Sequence, residues 1–253
     1  MTDLGMFFTA YKEGKAVDFS ISTFYEFYPN RPAFIYSEGD DFSYLQEKYS
    51  SLTCKVVDDA MASWLVRNVN SNNFRQVEIQ KKIEDYLDIV ISRHVEATIK
   101  CNTEYMLCSQ PDVMLRGKLT IPNSVSMLQP HVNHYASRPD GSCIQKFLSK
   151  IPGSANFEWW GYPQIFSSKS FLKGVDVVYK NKELFHDLLM TDERVHHSDI
   201  WLPVFLAAAG YHSVHNPEVV ECLRDSSWRT SSHKLVHQFR DYYPKSGYNG
   251  FHA

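Results

Sequence analysis

The chain has 253 residues, enough for one large α/β domain or two small ones. An apolar share of 43%, a charged share of 22% and a net charge of -3 are those of an ordinary globular protein. They exclude a general electrostatic grip on nucleic acid, which needs a basic surplus. The longest apolar run, Trp201 to Tyr211, is too short to span a bilayer and contains Pro203, so no membrane span is expected. The opening residues carry no basic region ahead of an apolar stretch, which predicts no signal peptide and a cytoplasmic location. Five cysteines (Cys54, Cys101, Cys108, Cys143, Cys222) are widely spread with no C-x-x-C pair, and reduced thiols are the simplest account.

Leu4 to Thr9 is an apolar stretch of strand type, and Val17, Ile21, Phe24 and Tyr28 then recur at helical spacing until Pro29 stops the pattern. Ala33 to Tyr36 reads as a second strand closed by the turn residues Ser37, Glu38, Gly39 and Asp40. Asp40 or Asp41 is placed to N-cap a helix with Leu45 and Tyr49 on its inner face. Cys54 to Val57 is a third strand ending at Asp58 and Asp59. Strand, helix, strand, helix, strand predicts a parallel sheet. Beyond the polar stretch Asn68 to Asn73, Ile79, Ile83, Leu87, Val90, His94 and Val95 line one face of the clearest helix. Lys81, Lys82, Glu84, Asp85 and Asp88 fall largely outside that face.

The segment Asn102 to Leu119 is the most informative. Tyr105, Met106, Leu107 and Cys108 form a short apolar run that stops at polar residues, Pro111 and a lone carboxylate, Asp112. Ligands collect just outside the carboxyl ends of strands in open α/β sheets, where such a carboxylate suits a metal or a polar ligand. Residues 122–143 lack a sustained period and predict a long loop of the functional kind. Trp159-Trp160-Gly161-Tyr162-Pro163 precedes a short run, Gln164 to Phe166, and then Ser167 to Phe171. A helix over Trp201 to Ala209 is expected to stop at Gly210.

In chain order, Phe7 to Phe42, Glu104 to Leu119, Trp159 to Phe171 and His197 to Val219 together resemble the GT-A fold glycosyltransferases, which move a sugar from a nucleotide diphosphate. The tail Ser232 to Pro244 resembles that family's late His-x-x-Lys element. Small glycosyltransferases of large DNA viruses share this size and style of sequence, which would make the location a host cytoplasm. The resemblance implies a GT-A-like α/β fold with a mixed, mainly parallel central sheet flanked by helices. It also implies a single domain over 1–253, with a nucleotide-binding half (1–119) and an acceptor-binding half (120–253) that ends in a lid-like tail.

The same resemblance implies roles for particular residues. Thr9, Tyr11, Lys12, Glu38, Asp40 and Asp58 fall at carboxyl ends of predicted strands, where a uridine or guanosine would lie, and Tyr11 suits stacking on the base. Asp112 and His237 are the expected ligands of Mn²⁺ or Mg²⁺, with Arg240 meeting phosphate oxygens. His233 and Lys234 offer a competing register of that idea, and His252 a further ligand. Where many members have two acidic residues this chain has Gln110-Pro111-Asp112, so arginine and lysines are the alternative to a metal. Asp199 reads both as the base of an inverting transfer and as a helix N-cap. Trp159 and Trp160 read as a sugar platform or as core, Gly161 allows close approach of backbone to sugar, and His197 is a candidate acceptor contact.

The expected activity is transfer of one hexose or pentose from a nucleotide diphosphate sugar, UDP favoured, to a hydroxyl of a glycan or glycoprotein. The alternative is a catalytically inactive sugar- or partner-binding module of the same fold. The chain lacks G-x-G-x-x-G after its first strand, G-x-x-x-x-G-K-[ST] and G-x-S-x-G, which disfavours dinucleotide, P-loop and serine-hydrolase chemistry. Nucleic-acid binding would need a basic patch from Arg224, Arg229, Lys234, Arg240 and Lys245, and none is expected.

Overall fold

The computed structural model describes residues 3–11, 14–38, 40–57, 77–132, 142–159, 161, 163–191, 195, 198–221 and 232–237. In chain order the described elements are β1 (Leu4–Tyr11), α1 (Gly14–Phe27), β2 (Ala33–Glu38), α2 (Leu45–Lys48), β3 (Leu52–Val57), α3 (Val77–Cys101), β4 (Tyr105–Cys108) and β5 (Val113–Leu115). They continue with β6 (Met127–Val132), α4 (Ser142–Leu148), β7 (Gln164–Ser167), α5 (Ser168–Lys180), α6 (Lys182–Thr191), α7 (Ser198–Ala208), β8 (Ser213–Glu221) and β9 (Leu235–His237).

Side chains alternate across a strand, so β1 serves two cores at once. Leu4, Met6, Phe8 and Ala10 pack toward α1, which returns Val17, Ile21 and Phe24 at helical spacing, with Tyr28 directly after it. Phe7 faces the other way, with Phe34, Tyr36, Met106 and Phe166, against α3 and the helices α4 to α7. The result is a sheet covered by helices on both faces. Buried on both sides, β2 opens with a continuous apolar run, Ala33 to Tyr36, and not with an alternating one.

One sheet takes all nine described strands in the order β3-β2-β1-β4-β7-β6-β8-β9-β5. The β3-β2-β1-β4 half is parallel, as expected. Strand β7 runs antiparallel to β4 and to β6, while β6, β8 and β9 are parallel to one another. Strand β5, antiparallel to β9, forms the far edge. Because β4 and β5 are joined by one short turn yet lie at the centre and at the edge, the sheet curls round on itself. The fold is thus a mixed, mostly parallel α/β sheet flanked by helices.

Three expectations are corrected. Ser37 and Glu38 are the last residues of β2, not part of the turn after it. Residues 122–143 are not one long loop, since they contain β6 and the start of α4. Pro130 hid β6 from the pattern. It is tolerated because the β6–β7 pairing ends at Leu128, and the β6–β8 register shifts directly after Pro130. The helix after β2 is only four residues long and is not capped by Asp40 or Asp41. Asp41 instead accepts hydrogen bonds from the backbone N–H of Ser43 at 2.8 Å and its hydroxyl at 2.5 Å.

Helix α7 ends as expected at Gly210, whose φ of 85° is a left-handed conformation suited to glycine. The N–H of Gly210 donates to Ala207 O and that of Tyr211 to Leu206 O, both at 3.0 Å, which satisfies the last carbonyls of the helix. Helix α7 packs closely on α5 at Gly174, where an added Cβ would stand 2.6 Å from Phe205 O. Gly174→Ala is therefore expected to destabilise the protein by about 1–3 kcal/mol through overpacking of two backbones. Urea denaturation checks this, and an unchanged midpoint would mean that the helices separate freely.

Candidate active site

Strand β1 lies between β2 and β4, and the order of strands reverses there, which makes its carboxyl end a topological switch point. Thr9, half-buried, is in register with Tyr36, and Tyr11, the last residue of β1, with Glu38. On the other side the N–H of Ser109 donates to Phe7 O at 2.8 Å, prolonging the β1–β4 pairing by one bond. The chain then turns through Gln110, Pro111 and Asp112, closed by Val113 N–H donating to Gln110 O at 3.2 Å. Proline at the second position presets φ for such a turn. The turn leaves Asp112 only 6% exposed, directly before β5. Val113 is in register with His237, so the end of β9 lies beside the residue that follows Asp112.

The β2 side is built differently from the expectation. Glu38 is 1% exposed and forms a buried ion pair with Arg93 of α3. The Arg93 guanidinium lies 5.2 Å from the centre of the Tyr36 ring. The Tyr36 hydroxyl donates to Glu96, which Lys55 also holds at 2.8 Å. Glu38 is thus closed off as the counter-ion of α3, whereas Asp40 is exposed just beyond the strand.

Next to Arg93, His94 is buried against Phe7, Trp201 and Phe171. Its Nδ1 lies 2.8 Å from Val90 O, and since a carbonyl only accepts, that nitrogen carries the proton. Nε2 then accepts from the thiol of Cys108, the last residue of β4, at 3.3 Å. Burial lowers the His94 pKa from 6.5 to about 4. An unfolded chain protonates this imidazole near pH 6.5 and the folded chain does not, so unfolding takes up a proton within that window. The stability that follows is present above pH 6.5 and is lost as pH falls toward 4, by about 3 kcal/mol. Urea titrations from pH 7 to pH 4 should show that slope and a flatter one in His94→Gln. Equal slopes would acquit His94.

The residues expected on the acceptor side include Asp199, at the start of α7. Asp199, half-buried, lies in its first turn. Pro203, four residues on, has no N–H to give the Asp199 carbonyl. Gln164, fully buried and in register with Cys108, fills that place: its Nε2 donates to Asp199 O at 2.9 Å and to Gly161 O at 3.1 Å. Gly161 has a φ of 111°. Buried Gln129 of β6 donates to Glu158 O at 3.0 Å, holding the strand of chain that leads to Trp159. Trp159 is half-buried and packs against the core on the α3 face.

Lys12, Asp58, Trp160, His196, His197, Arg240 and His252 lie outside the described residues, as do the side chains of Tyr11 and His237. The competing register at Lys234 falls at the other end of β9 from His237. Its ammonium is paired with Glu218, which also accepts from Thr120 N–H at 2.7 Å and from the Thr120 hydroxyl at 3.0 Å. Burial alone would raise the Glu218 carboxyl, but hydrogen bonds from Lys234 and Thr120 hold it below its ordinary value. Lys234 thus anchors the start of β9.

No family model matches the chain, and no curated protein is significantly similar to it. Among the described residues no three His, Cys, Asp or Glu side chains form a metal-binding group. A carboxylate such as Asp112 is the kind of oxygen ligand a hard divalent cation takes, and the backbone of His237 lies opposite the next residue, Val113. Arg93, Gln129 and Gln164 were not anticipated. For Gln164 a signal existed: a proline four residues after Asp199 leaves a helical carbonyl that needs an outside donor. Among the described residues no helix is long and apolar enough to cross a membrane.

Proposed function

We propose that this protein is a GT-A-like glycosyltransferase that moves one sugar from a nucleotide diphosphate, UDP favoured, to a hydroxyl of a glycan or glycoprotein, with inversion. What carries this reading is the meeting, at one end of the sheet, of the Pro111-Asp112 turn at the switch point and the Asp199 helix start. Cys108, four residues before Asp112, is in register with Gln164, which holds the Asp199 carbonyl. Two carboxylates on segments distant in sequence thus lie toward one end of the sheet.

In the proposed reaction the acceptor oxygen forms a bond to the anomeric carbon as the bond from that carbon to the diphosphate oxygen breaks. Asp199 takes the acceptor's hydroxyl proton, and its place in the first turn of α7 stabilises its negative charge. Asp112 and His237 would hold Mn²⁺ or Mg²⁺, which supplies charge neutralisation for the leaving diphosphate. Thr9, Tyr11 and Asp40 border the nucleotide side, and Trp159 and Gly161 the acceptor side.

Thermal unfolding with UDP, GDP, CDP and their sugars, each with and without Mn²⁺, tests the reading, because a ligand that binds the folded state raises Tm by mass action. A rise of several degrees with one nucleotide is expected. No rise with any of them would sink the transferase and favour the binding module.

A further inference from the structure

We propose that Gln164 is the positioning residue for Asp199, a role that rests on Asp199 being the base of the reaction proposed above. In an α-helix the N–H of residue i+4 holds the carbonyl of residue i, and this bond fixes the first turn. Pro203 removes that bond for Asp199 inside α7, at a cost that proline in a helix interior ordinarily makes prohibitive. The Gln164 amide replaces it. Its two N–H groups go to Asp199 O at 2.9 Å and Gly161 O at 3.1 Å, and the Gln129 amide oxygen stands further off at 3.5 Å.

Gln164 is itself rigid. It is the first residue of β7, fully buried, and in register with Cys108 of β4. The Asp199 carbonyl is therefore held from β7, the neighbour of the strand that leads into Asp112, and not by the N–H four residues on in its own helix. The same amide holds the Gly161 turn, so one side chain sets the base relative to the acceptor side. A displacement of about 1 Å in such a group costs on the order of 10²-fold in turnover.

The chemistry predicts a specific rescue. Gln164→Met keeps the length and loses the donor, while Pro203→Ala restores the helical N–H to the Asp199 carbonyl. Turnover would be measured with whichever of the UDP-, GDP- or CDP-sugars the wild type uses fastest, together with the donor KM, the pH profile of kcat and Tm. Gln164→Met is expected to lower kcat on the order of 10- to 100-fold with little change in donor KM, and to move the acidic limb of the profile. Gln164→Met/Pro203→Ala should recover most of kcat and return the limb to its wild-type position. If Gln164→Met does not fold, Gln164→Leu is read in the same way, alone and with Pro203→Ala.

A lowered Tm with kcat and the acidic limb unchanged would make Gln164 a structural residue only and overturn the proposal. So would a loss of kcat that is the same with and without Pro203→Ala. A wild type that transfers no sugar from any of the donors would overturn the function itself, and with it this role. A wild type that transfers normally while the Gln164 variants behave like it would overturn the positioning role alone.

Discussion

Arg93→Ala is expected to remove about 3–5 kcal/mol of unfolding free energy. The substitution takes the guanidinium away from a carboxylate that is 1% exposed at the end of β2. Bringing two charges out of water costs several kcal/mol apiece, and their mutual attraction offsets this only while both are present. Arg93→Met/Glu38→Leu, which removes both charges and keeps the volume, should recover much of the loss. Urea denaturation of the two single variants and the double variant measures the coupling. Losses that simply add would show that Glu38 and Arg93 do not depend on each other. For the proposed donor, Glu38 would be within reach only if Arg93 gave way.

Asp199→Asn should lower kcat by about 10²- to 10⁴-fold while leaving donor binding close to that of the wild type. The amide is nearly the same size as the carboxylate and cannot accept the acceptor's proton at neutral pH. The Gln164 bond runs to the backbone carbonyl, so it survives the change and the first turn of α7 keeps its place. Donor binding by thermal shift and turnover by product mass spectrometry separate the two effects. Full turnover in Asp199→Asn would remove it as the base. Weakened donor binding with unchanged kcat would move it to the nucleotide side.

The parallel half of the sheet was legible because local patterns sufficed there. The alternation of strand and helix from Leu4 to Val57 gave β1, α1, β2 and β3 to within a few residues, and the apolar run Tyr105 to Cys108 gave β4. The Gly210 stop of α7 was legible for the same reason, since a helix end is a local event. Strands β5 and β9 were not, because each is three residues long and is defined by partners distant in sequence, β5 by β9 and β9 by β5 and β8. Strand β6 was masked by Pro130, whose missing N–H matters only if neighbours on both sides ask for it.

At the site, sequence order could place Asp112 at a strand end and Asp199 at a helix start. It could not disclose that Arg93 would close over Glu38. That depends on the rotation of α3, which sets Leu87, Ile91 and His94 into the core and carries Arg93 round with them. Nor does the order of residues reveal that Gln164 stands in for the N–H missing from Pro203, since β7 and α7 meet only in the folded sheet.

The curl of the sheet also bears on how the chain is made. Strand β5 leaves the ribosome soon after β4, but its one strand neighbour in the sheet, β9, follows nearly half a chain length later. Until then β5 packs against α1, with the Leu115 N–H donated to the Thr23 hydroxyl. An apolar strand with an open side is a template for wrong pairing between nascent chains. Truncation ahead of Ser232 would make that interim state permanent, and such chains should collect in the insoluble fraction while the full chain remains in solution. Helix α1, which packs on β5 and accepts the Leu115 N–H at Thr23, would then be what shields it within the chain.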